Sequence, residues 1–287
     1  MRKERSDWRP GGGLDPPITG SVRTLRAVIE YDGTSYSGYQ AQAGRTTIQG
    51  TIEKAIAEMT GEQLRLRAAS RTDSGVHARG QVVAFDTGRD RIPLHGFQRG
   101  LNSLLPRDIV IRSIEEAEAG YHPRSWARGK HYRYTIWRDE GPTALDRNRV
   151  WWVRERLDLP AMQAAAALYL GTHDFESFRA AGCPAKHAVR TMYAVSMGQG
   201  ARSSLVFDVV GNAFCRNMVR IMVGTVVDVG RGKKTQAEVE IALQSRDRAL
   251  AGITAPPDGL CLEEVIFDER LPEKPRSLPA PEVDDEA

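Results

Sequence analysis

Residues 24–33 read TLRAVIEYDG. Leu25, Ala27, Ile29 and Tyr31 alternate with Thr24, Arg26, Val28 and Glu30, which is the two-residue period of a strand with one buried face. Asp32-Gly33 closes that strand with a turn. Downstream the period changes. Ile48, Ile52, Ala55, Ile56 and Met59 form one apolar stripe at helical spacing, with Thr46 and Gln49 spaced as a capping box and Gly61 as a stop. Leu64, Leu66 and Ala68, alternating with Arg65 and Arg67, predict a second strand, and residues 81–86 a third. A helix over 93–105 begins at proline, and residues 108–114 make a fourth strand. The order βαββαβ is that of the ferredoxin-like split unit, whose sheet is covered by helices on one face and open on the other.

The later half repeats the theme with longer insertions. Strands are expected over 130–137, 149–153, 189–197, 204–210 and 260–267, with helices over 159–170, 214–229 and 236–245. No sequence identity between the halves is visible, so the repeat is one of architecture. The expected fold is therefore α+β: two ferredoxin/RRM-like βαββαβ units, 23–120 and 121–271. Their antiparallel sheets join into one broad sheet with helices on one face and a central cleft. Residues 1–22 and 272–287, rich in Pro, Gly and charge, read as flexible tails, the second of them acidic.

Composition narrows the function classes. The chain of 287 residues is 41% apolar, enough for a substantial core and too much for a disordered chain. It has no run of eighteen apolar residues, and Met1 begins a charged stretch without an apolar signal region. Cys183, Cys215 and Cys261 are far apart and form no CxxC pair, as suits a reducing cytoplasm. The six histidines show no metal-ligand spacing, and no Walker loop is present; Gly11-Gly12-Gly13 lacks a flanking strand and helix. No metal, no cofactor and no membrane are expected. The net charge of +3 is unevenly spread: residues 268–287 hold seven acidic and three basic side chains, while 124–149 hold seven basic and three acidic. A basic body with an acidic tail suits a polyanion-binding surface, although such charges also serve as ordinary solvated faces.

The densest chemistry lies in residues 69–78, Ala-Ser-Arg-Thr-Asp-Ser-Gly-Val-His-Ala, where a cation, a carboxylate, hydroxyls and a glycine share one turn between two strands. Read alone, this is an Asx-turn with Asp73 accepting backbone N–H bonds. The run is very similar, however, to the catalytic loop of TruA-type tRNA pseudouridine synthases, in which Arg-Thr-Asp precedes a small residue and then Gly-Val-His. Ser70 departs from the glycine that many members have there. Further blocks follow in order. Tyr31-Asp32-Gly33 with Ser37-Gly38-Tyr39-Gln40 resembles the N-terminal signature, with Tyr39 in place of the usual Trp. His131-Tyr132-Arg133-Tyr134, Asp174-Phe175 with Ser177-Phe178-Arg179, Asn212-Ala213-Phe214 through Met218-Val219-Arg220, and Gly259-Leu260 complete the set. The resemblance spans roughly residues 23–268.

What the resemblance implies can be checked against chemistry. Pseudouridine formation breaks the N1–C1′ bond of uridine, turns the base, joins C5 to C1′ and releases the C5 proton. One glycosidic bond replaces another, so neither redox chemistry nor net hydrolysis is involved. Asp73 is implied as the reacting carboxylate. The sequence leaves open whether it adds to the sugar, adds to the base or removes a sugar proton. Arg220 is implied as its cationic partner; it lies one helical turn beyond Arg216, which predicts that both share a helix face. Tyr132 is implied to lie against the target base, Leu260 to wall the uracil pocket, and Arg71 to guide or replace the everted nucleotide. Arg124, Arg128, Lys130, Arg133 and the 231–234 cluster are candidate phosphate contacts, and His77 orders the loop. The implied substrate is the anticodon arm of tRNA at positions 38, 39 and 40, and the implied assembly is a homodimer in the cytoplasm.

Two rivals are separable. Tyr31-Asp32-Gly33-Thr34 is similar to the DxDGT loop of haloacid-dehalogenase phosphatases, but position 30 is Glu where that loop needs its nucleophilic Asp. A non-catalytic RRM-like RNA-binding module would share the open sheets, but the RNP1 pattern is missing.

Overall fold

The first strand, β1 (Arg23–Tyr31), buries Leu25, Ala27, Ile29 and Tyr31, as the alternation requires. The structure is a computed structural model that describes residues 22–268 and 271; the tails expected over 1–22 and 272–287 otherwise lie outside those residues. After β1 come α1 (Ile48–Thr60), β2 (Arg67–Ala68), β3 (His77–Thr87), α2 (Leu94–Leu104) and β4 (Ile109–Ala117). The chain continues through α3 (Pro123–Trp126), β5 (Gly129–Trp137), β6 (Trp151–Trp152), α4 (Leu159–Ala167), β7 (Gly171–Asp174), β8 (Val189–Gln199) and β9 (Ser204–Gly211). It closes with α5 (Met218–Gly230), α6 (Gln236–Ser245) and β10 (Leu260–Ile266).

The strands form one ten-stranded sheet of order β4-β1-β3-β10-β5-β9-β8-β7, with β2 on β3 and β6 on β5. Within it the ferredoxin-like order occurs twice, as β4-β1-β3-β2 and as β10-β5-β9-β8. The fold is α+β, with one broad open sheet. The two antiparallel sets are joined by a short parallel ladder, Cys261 beside His77 and Leu262 beside Ala78. Alternate strand residues, among them Phe85, Tyr134, Ile136, Phe207 and Val209, enter a single apolar core with Ile52 and Ile56 of α1, Phe97 of α2, Met162 of α4 and Met222 of α5. Each such side chain, fully buried, stabilises the fold by about 1.5–3 kcal/mol.

Several boundaries differ from the sequence reading, each for a local reason. The cap of α1 is Thr47, whose hydroxyl accepts from Gly50 N at 3.2 Å, and not Thr46. Gln49 therefore serves no capping box; its side chain instead bonds Ala41 N, Glu53 and Leu66 O. Leu66 also donates its N–H to Glu53 at 2.9 Å, so its backbone is held by helix side chains and β2 shrinks to two residues. β3 starts at His77, earlier than expected, because β10 pairs with its first two residues. α5 starts at Met218 because Asn217 adopts a left-handed conformation, φ +58°. Asparagine tolerates that region better than most residues. Arg216 consequently precedes the helix, which corrects the expectation that it shares a helical face with Arg220. β7 and α3 were not foreseen.

α5 lies close to the segment before β10. A Cβ built on Gly224 would overlap the backbone carbonyl oxygen of Ile253. Gly224→Ala should therefore destabilise the protein by about 1–3 kcal/mol through overpacking. The check is the midpoint of chemical denaturation; a midpoint at or above wild type would refute this packing account.

Candidate active site

The loop between β2 and β3 is pinned at almost every residue. Ala69 N donates to Val82 O at 2.9 Å. The fully buried Gln81 brackets Ser70, accepting its N–H at 3.1 Å and donating to its carbonyl at 2.7 Å. The hydroxyls of Thr72 and Tyr31 meet at 2.7 Å inside the core, and Thr72 O accepts from Tyr39 N at 3.0 Å. Ser74 Oγ donates to Tyr36 O at 3.0 Å, and Val76 N to Asp73 O at 3.1 Å. His77 Nδ1 lies 3.1 Å from Gly33 N and 3.2 Å from Asp32 Oδ1, and its Nε2 lies 3.1 Å from Asp258 O. Both ring nitrogens are thus committed to order, as the sequence reading expected of this residue.

This frame aims Asp73 at two elements from the other half of the sheet. Its Oδ2 lies 4.0 Å from Nη1 of Arg220, whose side chain is 15% exposed against 26% for Asp73. Arg220 is itself braced, donating from Nε to Ala255 O at 2.7 Å and from Nη1 to Asn217 Oδ1 at 3.0 Å. The N–H of Asn217 donates to the Asp73 carboxylate, and Arg216 still adds positive charge nearby although it lies outside the helix. Tyr132 completes the group. Its phenol meets Ser70 Oγ at 2.8 Å, its ring stands edge-on to Phe214 at 5.1 Å, and it is near enough for the Asp73 charge to act on it. Leu262 is the lateral neighbour of Ala78 on one side and of Tyr132 on the other, so a single strand of β10 sets the span between the loop and Tyr132.

Burial dominates the electrostatics. Desolvation raises the Asp73 pKa above its ordinary value, and Arg220, the Asn217 N–H and Arg216 only partly oppose it. Burial likewise pulls Arg220 downward while Asp73 pushes it back up. Burial also pushes the Tyr132 phenol up, which keeps it neutral. The product is a carboxylate stripped of much of its water but held beside a guanidinium, which is a reactive state for a nucleophile or base.

Of the other expected site residues, Leu260 is buried at the start of β10, opposite Tyr134, and Arg71 is exposed on the loop two residues before Asp73. Arg133 is not brought to this pocket. Strand alternation turns it to the sheet face opposite Tyr132, where Asp208 holds it at 2.9 and 3.0 Å and His131 bonds the same carboxylate. Arg231 of the 231–234 cluster is also engaged, with Glu155, Asp228 and the ring of Trp151. Sequence reasoning missed Asn217 and the 255–258 segment. That segment carries the Arg220 contact at Ala255, accepts the Tyr134 hydroxyl at Pro256 O and packs Pro257 against Gly75. Its Pro-Asp-Gly turn signature at 257–259 was the available signal.

A sequence model described as tRNA pseudouridine synthase matches residues 27–124 and 165–268, more than half of the chain. The chain belongs to the tRNA pseudouridine synthase family. Among similar members of the family, tRNA pseudouridine synthase A of Geotalea uraniireducens is 49% identical over 246 residues, covering 86% of this chain and all of that protein. The protein of the same name from Geobacter sulfurreducens is 51% identical over the same share of each chain. That from Myxococcus xanthus is 42% identical over 248 residues, with 86% of this chain and 93% of the relative covered. The matched regions of this family member include Asp73, Arg220 and Leu260 but not Tyr132, which falls between them.

The electrostatic account is testable directly. The Asp73 carboxyl, followed by carbon-detected NMR, should titrate above its ordinary 3.8. In Arg220→Met the midpoint should move higher still, because the largest opposing charge is gone. A midpoint at or below the ordinary value in wild type would refute burial as the dominant cause.

Proposed function

We propose that this protein isomerises uridine to pseudouridine in the anticodon arm of tRNA, at positions 38, 39 and 40, with Asp73 as the reacting carboxylate. The observation that carries this reading is the convergence of Asp73, Tyr132 and Arg220, far apart in sequence, on one partly buried site. Isomerisation needs a dehydrated carboxylate near C1′ and C2′, a surface for the detached uracil while it turns, and exclusion of water that would capture the sugar. Asp73 supplies the first, the ring of Tyr132 with Leu260 the second, and the apolar walls the third. Arg220 favours the ionised carboxylate against the effect of burial.

The uridine must leave its helix to reach this site, at a cost of a few kcal/mol for unstacking and unpairing. Arg71, exposed on the loop two residues before Asp73, would enter the vacated space. Arg133 is assigned no contact with the base, since its guanidinium is held by Asp208 on the other sheet face. The resemblance further supports a homodimer in the cytoplasm, with one tRNA touching both subunits. Among the described residues no helix is long and apolar enough to cross a membrane.

Tritium release from tRNA carrying 5-tritiated uridine tests the reading. Asp73→Asn should lower release by roughly 10⁴-fold or more, the scale of losing a reacting nucleophile, while tRNA affinity stays close to wild type. Wild-type protein that binds tRNA but never releases label would instead be an RNA-binding module. Arg220→Met should depress kcat more than it raises KM; an equal effect on both would contradict the role given to Arg220. In wild type, kcat/KM should fall as pH drops through the raised Asp73 pKa, because the protonated carboxyl is inactive. An acid limb confined below the ordinary carboxylate range would count against it.

A further inference from the structure

Outside the residues given roles above, the described part of the chain brings two of its three cysteines together beside the site. Cys183 occupies a turn opened by Gly182 at φ +72° and is half-buried; Cys215 is 6% exposed and immediately precedes Arg216. Two hydrogen bonds lace this turn to residue 216: Ala180 N donates to Arg216 O at 3.1 Å, and Arg216 N donates to Cys183 Sγ at 3.4 Å. The Cys183 sulfur therefore lies 3.4 Å from the nitrogen bonded to the Cys215 carbonyl carbon, which sets the two cysteines side by side, close enough for each thiol to act on the other's acidity. Residues 215–217 form the same turn whose Asn217 N–H serves the Asp73 carboxylate.

We propose that Cys183 and Cys215 are an oxidisable pair that closes to a disulfide under peroxide and lowers turnover by displacing the 215–217 turn. The geometry gives each thiol a distinct part. Cys183 is the more accessible of the two and faces the Arg216 N–H at 3.4 Å, whereas Cys215 is 6% exposed; the Cys215 thiol, the N–H groups of Arg216 and Ala185 and the nearby Arg179 hold Cys183 below its ordinary value against the effect of burial. Cys183 is thus the thiolate nucleophile, whereas the same contact pushes Cys215 up. The Cys183 thiolate attacks peroxide, the O–O bond breaks, and an S–O bond forms as hydroxide leaves. Cys215 then gives up its proton and attacks the Cys183 sulfur, expelling the second oxygen as water. Two thiols lose two electrons and one peroxide becomes two waters. Bringing two sulfurs from contact to the bond length of about 2.05 Å draws residue 215 toward 183. That pull shifts the 215–217 turn, and with it the Asn217 N–H that serves the Asp73 carboxylate. Cys261 takes no part; burial pushes its thiol up to about 12.

The experiment treats the full chain with hydrogen peroxide, alkylates it, and maps peptides without reduction, with tritium release measured in parallel. The expected result is a Cys183–Cys215 cross-linked peptide, Cys261 left alkylated, and turnover lower by on the order of 10²-fold, the scale of a 1 Å misplacement. Dithiothreitol should reverse the loss. Cys215→Ala should stop at a dimedone-reactive Cys183 without a cross-link, and Cys183→Ser, which leaves the core residue intact, should keep its turnover through the same treatment. Absence of the cross-link, or oxidation of Cys261 before Cys183, would overturn the pairing. A cross-link with unchanged turnover would overturn its effect on the site. The turnover arm rests on the proposed function, but the cross-link does not, so failure of one is distinguishable from failure of the other.

Discussion

Two residues of parallel pairing hold this architecture together. Cys261 and Leu262 lie against His77 and Ala78 on one side and against Arg133 and Tyr132 on the other. Adjacent strands stand about 4.8 Å apart, so β10 sets a fixed two-strand spacing between the Asp73 loop and the strand that carries Tyr132. The segment leading into β10 adds the remaining tie, because Ala255 both accepts from the Arg220 side chain and donates its N–H to the Arg220 carbonyl. Without that ladder, the carboxylate and its partners would belong to two separate sheets.

The loop bearing Asp73 illustrates how a charge can be kept in poor solvent. A buried carboxylate is costly unless donors and a cation face it. Here the donor is the Asn217 N–H and the cation is Arg220, while the loop that carries the carboxylate is already fixed by other contacts, through Gln81, Tyr31, Tyr36 and Tyr39. Little reorganisation is left for the moment of reaction, which is where preorganised sites gain their advantage. At 4.0 Å the Arg220 contact is that of an ion pair rather than a tight bidentate bridge, so the carboxylate stays partly available to a substrate.

Periodicity made much of this fold legible. The alternation in β1 and the helical stripe of α1 each named a buried face that the structure keeps. What periodicity cannot encode is pairing between distant segments. The early start of β3 depends on β10, and the truncation of β2 depends on side chains of α1. Within the site, the run around Asp73 stood out because its residue types were crowded into one turn, and the ordered motif blocks pointed to Tyr132 and Arg220 as well. Ala255 was invisible because it acts through backbone atoms, which carry no residue signature, and Asn217 because its contact with Asp73 is made by its backbone N–H across a long sequence separation. Arg133 was misleading for the opposite reason: its side chain is chemically apt, but strand parity places it on the wrong face.

The seam between the halves also orders events in time. His77 and Asp258 are separated by 181 positions yet must meet, and among the described residues β10 follows every other strand. During synthesis the first half can acquire its core while the start of β3 remains an unpaired edge, open to adventitious strand addition. The long-range closure that completes the sheet is also the slowest kind to form. The grouping of Asp73 with Tyr132 therefore has to await β10, the strand that lies between them in the sheet.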